Sequence, residues 1–353
     1  MRPWEKNIRQ VVPYVPGEQP AGDKIVKLNT NENPYPPAPG VKKVLEEMEA
    51  DRLRKYPDPT ASILVKELAS YYGLNEDQVF VGVGSDDVLA MSFLTFFNSD
   101  KPVLFPDVTY SFYKVWADLF KVPFETPVLK EDFTIDVKEY EKENGGVIFP
   151  NPNAPTGVYM PLDQVEEILK ANQDVVVIVD EAYVDFAGPS ALELLDKYEN
   201  LLVVQTFSKS RSMAGMRIGF AMGHPDLIRA LNDVKYSYNS YTMNLPSLLA
   251  GVEAVKDKEY FEKTIEKIVA TRERAKKRLT ELGFTFPNSQ SNFIFASHKS
   301  VPAGKIFEAL KKEQIYVRYF KTPGLDNSLR ISIGTDEEMD TLFRFLEAYL
   351  PNA

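Results

Sequence analysis

The chain contains no cysteine among its 353 residues. Disulfides and thiolate metal ligands are therefore excluded, and the composition suits a reducing cytoplasm. Histidine is almost as scarce. His224 and His298 are the only imidazoles, no HExxH-type spacing exists, and no metal site is expected. No apolar run approaches membrane length, and the polar stretch Met1 to Val12 lacks the apolar core of a secretory signal. Positive charge is also in deficit, 41 Lys and Arg against 51 Asp and Glu, for a formal net charge of −10. Such a surface repels nucleic acid and anionic membrane. An anionic ligand then has to be met by positive groups gathered locally.

What is present is an ordinary soluble composition, 44% apolar and 26% charged, in a chain too long for one small core. A large domain with a smaller one is the natural expectation. Residues 1–35 read as a proline-rich arm, anchored by Ile25, Val26 and Leu28 and expected to join the small domain. Helical stretches follow at 40–50 and 60–72. From about 79, short β-branched runs alternate with helix-like segments: Val79–Val83, Val103–Phe105, Val147–Phe149, Val175–Val179, Leu201–Gln205 and Ile218–Met222. Continuous apolar strands separated by helices predict an α/β fold with a mostly parallel central sheet sandwiched by helices. This large domain would span 36–245. A long helical region over about 246–282, ended by Gly283, opens a C-terminal small domain, 246–353. Strands at Asn292–Ala296, Ile315–Arg318 and Leu329–Ile333, with helices near 302–313 and 336–349, make it a second α/β unit.

Ligands of open parallel sheets sit beyond the carboxyl ends of the strands, so the residues leaving each run carry the functional reading. Gly82 and Gly84 let backbone approach a ligand. Ser85 and Asp86 can start a helix whose free N–H groups attract phosphate, although on its own the motif is read more simply as helix capping without a ligand. Asp180 ends an apolar run, where a buried carboxylate needs a partner: a helix cap or a cationic ligand nitrogen. Lys209 differs from an ordinary surface lysine by its setting. It lies past a buried strand beside Ser208, and Arg217 follows eight residues on. Amine, hydroxyl and guanidinium together are the chemistry of a site for a phosphorylated aldehyde.

The segment Ser208–Gly219 (SKSRSMAGMRIG) resembles the lysine signature of the fold-type I aminotransferases of the aspartate aminotransferase superfamily. Leu28–Pro34 (LNTNENP), Arg54–Asp58, Gly82–Asp87, Pro106–Tyr113, Asn151–Gly157, Val179–Phe186 (VDEAYVDF) and Leu329–Thr335 (LRISIGT) extend the likeness over nearly the whole chain. They are similar in particular to the histidinol-phosphate aminotransferase family. The resemblance implies the fold-type I architecture, pyridoxal 5′-phosphate as cofactor, and a homodimer with shared active sites. By position it implies Lys209 as the Schiff-base lysine and proton carrier. Asp180 would pair with the pyridine nitrogen, Tyr183 would hydrogen-bond the phenolic oxygen, and Tyr110 would stack on the ring. Ser85, Asp86, Ser208 and Arg217 would hold the phosphate, joined by Tyr56 from the neighbouring subunit. One departure stands out. The family places Asn just before Pro-Thr-Gly as a second donor to the phenolic oxygen, and this chain has Ala154. Adjacent side chains of an extended segment point opposite ways, but the bond before this proline is often cis in related enzymes, which redirects them. Asn153 or Tyr183 is expected to compensate.

On the substrate side the resemblance implies Arg330 for an anionic end, Arg318 as a second phosphate-binding arginine, and Tyr14 as an aromatic in an arm covering the substrate. Asn292 is a weaker pointer that a strand-end cap explains as well. Two arginines suit a dianion better than a carboxylate. The expected reaction is amino transfer between glutamate and imidazole acetol phosphate, giving L-histidinol phosphate and 2-oxoglutarate. The alternatives are an aromatic amino-acid aminotransferase and a threonine-phosphate decarboxylase, which shares the fold and cofactor but releases carbon dioxide.

Overall fold

Two sheets organise the chain in the computed structural model, which describes residues 2–22 and 24–353; Met1 and Asp23, both within the expected arm, lie outside the described residues. The strands are β1 (Val26–Leu28), β2 (Val79–Gly82), β3 (Val103–Leu104), β4 (Phe124–Glu125), β5 (Gly146–Pro150), β6 (Val177–Asp180), β7 (Leu201–Thr206) and β8 (Gly219–Gly223), then β9 (Phe284–Thr285), β10 (Phe293–His298), β11 (Ile315–Tyr319) and β12 (Leu329–Ser332). The larger sheet runs β2-β8-β7-β6-β5-β3-β4. Its pairs are parallel except those of β8, which is antiparallel to both neighbours.

The continuous apolar runs have a direct cause. Val147, Phe149, Val177, Val179, Leu201 and Val203 enter one core, and Ile148, Ile178, Leu202 and Val204 enter another on the opposite face. Successive side chains of a strand alternate between faces, so a sheet covered on both sides demands apolar residues at every position.

The smaller sheet runs β1-β11-β12-β10-β9. Its edge is the arm: Val26 pairs in parallel with Ile315, and Leu28 with Val317. The long helical region over 246–282 is two helices, Leu245–Lys256 and Lys258–Glu281. Asp257 separates them, and its side chain accepts from the Tyr260 N–H to start the second. Gly283 ends that helix at φ +85, a conformation glycine adopts without strain. The core of the small sheet takes in Tyr183 and Ala154 from the ends of the large-sheet strands, so the two sheets meet where the polar residues emerge. Among the described residues no helix is long and apolar enough to cross a membrane.

Candidate active site

The carboxyl ends of β5, β6 and β7 and the start of the helix Ser85–Phe96 open on one cleft of about 240 Å³, lined by Asp180, Tyr183, Lys209, Ser208, Tyr110 and Arg217 among others. Asp180 is the last residue of β6 and is buried. It accepts from Tyr113 Oη at 2.7 Å and from the Ala182 N–H at 3.3 Å. Burial pushes its carboxyl up to about 6 despite these bonds. A carboxylate served only by neutral donors gains most from a cationic partner. Lys209 Nζ donates to the Thr30 carbonyl at 3.2 Å and lies 5.8 Å from the centre of the Tyr183 ring.

The other end of the cleft is built for an anion. Helix Ser85–Phe96 begins at Gly84, which offers no side-chain cap, so the first-turn N–H groups are left for a ligand. Close packing holds that helix start in place. A Cβ on Gly219 would stand 2.2 Å from both Gly84 C and Ser85 N. A Cβ on Gly84, itself at φ +84, would stand 2.5 Å from Arg217 Nη2. Arg217 Nη1 reaches Ser208 Oγ at 3.5 Å, and Nη2 reaches Asp86 Oδ2 at 3.3 Å. Asp86 also accepts from Tyr110 Oη at 2.7 Å, so its carboxylate is engaged and only its backbone is free to donate. Hydroxyl, guanidinium and helix N-terminus form a donor set for a phosphate monoester.

Of the two donors expected to compensate for Ala154, Asn153 has its side chain engaged elsewhere. Its Nδ2 donates to Val108 O at 2.9 Å and to Thr156 Oγ1 at 3.1 Å, and its Oδ1 accepts from Thr109 Oγ1. The amide is spent inside the turn, where the bonds Asn151–Pro152 and Ala154–Pro155 are both cis. Ala154 lines the cleft instead. Tyr183 does line it, and its Oη accepts from Asn31 Nδ2 at 3.0 Å. Asn31 and Tyr113 are contacts the motif reading did not single out. Asn31 is the second asparagine of LNTNENP, and Tyr113 closes PDVTYSFY, but nothing in either segment alone says where its side chain points.

Toward the arm, Arg330 lies opposite Arg318 across β12 and β11. Both guanidinium groups sit over the Phe320 ring, at 5.4 Å for Arg318 and 5.6 Å for Arg330. Arg330 Nη2 donates to Asn29 O at 3.2 Å, while its buried Nε has no partner among the described residues. Burial, and further the Arg318 charge, push the Arg330 guanidinium below its ordinary value. Arg318 donates to the carbonyls of Pro16 and Val15 at 3.4 and 3.3 Å, and between them these residues follow Tyr14, whose ring stacks on Phe112 at 4.3 Å. Asn292 sits behind Asn31, donating to its carbonyl at 3.0 Å, and is not brought to the cleft. Tyr56 is 81% exposed and leans on Tyr241; it does not reach the cleft of its own chain.

A strand-end lysine, a buried carboxylate and an uncapped helix start on a mostly parallel sheet define a class, and the wider comparison agrees with it. Residues 23–346 match the family described as aminotransferase class I and II, and the chain belongs to it. It is 50% identical over 349 residues to a histidinol-phosphate aminotransferase of Clostridium beijerinckii, covering 99% of this chain and 98% of that protein. It is 53% identical over 336 residues to a protein of the same name from Clostridium acetobutylicum, covering 95% and 96% respectively. Among solved structures, the histidinol-phosphate aminotransferase of Sinorhizobium meliloti in complex with pyridoxal-5′-phosphate aligns with a TM-score of 0.82 at 25% identity, covering 92% of this chain and 89% of that one.

Proposed function

We propose that this aminotransferase uses pyridoxal 5′-phosphate to pass an amino group between L-glutamate and imidazole acetol phosphate, a step of histidine biosynthesis whose products are L-histidinol phosphate and 2-oxoglutarate. The cofactor supplies an aldehyde for capturing amines and a ring that stores the electron pair released at the substrate carbon. The chain supplies the rest. Lys209 provides the amine for that aldehyde and, once displaced, carries the proton at the reacting carbon. Asp180, buried and without a cationic partner among the described residues, suits the protonated ring nitrogen. The Ser85 and Asp86 N–H groups, Ser208 Oγ and Arg217 suit the phosphate. Tyr110 and Tyr183 line the space between. The active form is a homodimer in this reading: Tyr56, exposed on its own chain, contributes to its partner's phosphate site.

The observation that carries the substrate assignment is the Arg318–Arg330 pair. Among the described residues their contacts are backbone carbonyls and the Phe293 and Phe320 rings, with no carboxylate paired to either. Two adjacent cations in a part-buried strand pair favour a dianionic ligand over a carboxylate. A second reading, amino transfer from phenylalanine or tyrosine, is favoured by the Tyr14–Phe112 wall, which takes a phenyl ring as well as an imidazole; it leaves Arg318 without an anion. The test has two arms. Glutamate added to the cofactor-loaded enzyme is expected to bleach the visible band of the lysine-bound cofactor, which a decarboxylase would leave in place. L-Histidinol phosphate is expected to exceed phenylalanine as amino donor; a preference for phenylalanine that Arg318→Ala leaves untouched would overturn the assignment.

A further inference from the structure

Asn31 is 1% exposed and sits at the junction of arm, small sheet and cleft. Each of its polar groups has a partner. Its N–H donates to Ser332 Oγ at 2.8 Å, and Ser332 Oγ donates back to Oδ1 at 3.0 Å. Its carbonyl accepts from Asn292 at 3.0 Å. Its remaining group, Nδ2, donates to Tyr183 Oη at 3.0 Å. Asn31 holds this arrangement at φ +57, a left-handed conformation that is strained for a non-glycine residue and persists only where the surroundings enforce it. The exchange with Ser332 sets the orientation of the amide, so the NH₂ side faces the tyrosine.

A phenolic hydroxyl has one proton to give. Asn31 Nδ2 is the polar group recorded on Tyr183 Oη, and there Tyr183 is the acceptor. Its own proton is therefore free for the cleft it lines. Accepting a hydrogen bond also polarises the O–H and strengthens it as a donor. Ala154 offers no donor on this wall, and Asn153 is engaged with Val108 and Thr156.

We propose that Asn31 is a positioning residue that holds the Tyr183 hydroxyl as the donor to the phenolic oxygen of the cofactor, making good the amide that position 154 lacks. The inference rests on the cofactor reading given above. Donation to the phenolic oxygen draws negative charge away from the adjacent lysine-linked nitrogen. Losing it strengthens that nitrogen's hold on its proton, and the pH midpoint of the visible band reports the change.

Asn31→Gly keeps the positive φ and deletes the amide. Asn31→Asp keeps the size but replaces donor by acceptor, so the Tyr183 proton turns away from the cleft. Both, reconstituted with pyridoxal 5′-phosphate, are compared with the unsubstituted enzyme by spectrophotometric pH titration and thermal melting. The midpoint is expected to rise by about half to one pH unit in Asn31→Gly, and further in Asn31→Asp. In a Tyr183→Phe background Asn31→Gly is expected to add nothing, because the residue acts through that hydroxyl. Ser332→Ala, which loosens the amide without touching the cleft, is expected to move the midpoint the same way by less, and it carries the test if either Asn31 variant fails to fold. An unchanged midpoint in these variants, or an equal shift with Phe at 183, overturns the proposal. A visible band that survives Lys209→Ala overturns the cofactor reading itself, and this inference with it.

Discussion

Arg318 and Arg330 stand opposite one another across β11 and β12, and each presents its guanidinium to the face of Phe320. Two like charges held this close repel unless an anion joins them. Arg330 is half-buried and set by Asn29, whereas the hydrogen bonds of Arg318 among the described residues go to two carbonyls of the arm. Arg318→Ala is therefore expected to raise KM for L-histidinol phosphate by about 10- to 100-fold, the loss of one hydrogen bond to a charged group, taken as about 1.5–3 kcal/mol. Phenylalanine, having no phosphate, is expected to change little. Arg318→Lys restores the charge without the planar fork and is expected to recover only part of the loss. Steady-state kinetics on both donors checks each outcome.

Much of this was legible beforehand, for physical reasons. β5, β6 and β7 stood out because their apolar residues, from Val147 to Phe149, Val177 to Val179 and Leu201 to Val204, each face one of two cores. Asp180 and Lys209 stood out because they interrupt or leave such runs. The direction of Asn153 was not legible because it is set in that turn by Val108 and Thr156, contacts no local pattern encodes. Asn31 went unread for the same reason, since its partner Tyr183 is 152 residues away. The helical region over 246–282 read as continuous because Asp257 looks like any solvated helix residue until its side chain is seen capping Tyr260.

Gly219 tests the phosphate cradle. Its neighbours are the backbone atoms Gly84 C and Ser85 N, each 2.2 Å from an added Cβ. No rotamer change can relieve that clash, so Gly219→Ala must move the strand or the helix start. Overpacking of this kind costs about 1–3 kcal/mol. The variant is expected to melt earlier and to bind pyridoxal 5′-phosphate at least about tenfold more weakly, since about 1.4 kcal/mol of misdirected N–H contact suffices. Equilibrium dialysis against the cofactor decides it: full affinity would show that the helix start is not the phosphate site.

Glu181 sits beside Asp180 in sequence but points into the protein, where Ser190 Oγ, the Ala191 N–H and Gln205 Nε2 donate to it. Burial pushes its carboxyl up to about 7 in spite of those bonds. The folded state then holds this proton more tightly than the unfolded chain. The stability it contributes is complete below the unfolded carboxyl's ordinary value of 4.5 and is lost as pH rises through about 7. At about 1.4 kcal/mol per unit, the change is on the order of 3 kcal/mol. Glu181→Gln is expected to match the unsubstituted protein near pH 4.5 and to exceed it in melting temperature near pH 8. Parallel melting curves across that window would refute the assignment.

Tyr14 tests the arm. Its ring stacks on Phe112 at 4.3 Å with 26° between planes, and Phe112 in turn stacks on Trp116 at 5.0 Å. Beyond Tyr14 the arm is tied down by Arg318 at Val15 and Pro16, by an ion pair from Lys311 to Glu18 at 2.8 Å, and by Asn29 donating to the Glu18 carbonyl at 2.7 Å. The arm is thus anchored to the smaller sheet on one side, and the aromatic stack, together with Arg9 donating to the Leu119 carbonyl, holds it against the helix Phe112–Phe120. Such a stack contributes about 0.5–1.5 kcal/mol beyond area burial. Tyr14→Ala is expected to raise KM for ring-bearing amino donors by about two- to tenfold, the range that energy converts to. Glutamate, which has no ring to cover, is expected to react at an unchanged rate in the single-turnover bleaching of the loaded enzyme. Tyr14→Phe keeps the stack and is expected to behave as the unsubstituted chain toward both donors. Phe112→Ala is expected to mimic Tyr14→Ala, and the double variant to be no worse than either single one, because both remove the same contact. Equal impairment of the glutamate and L-histidinol phosphate half-reactions in Tyr14→Ala would show that the arm serves the fold of the site and not the choice of donor.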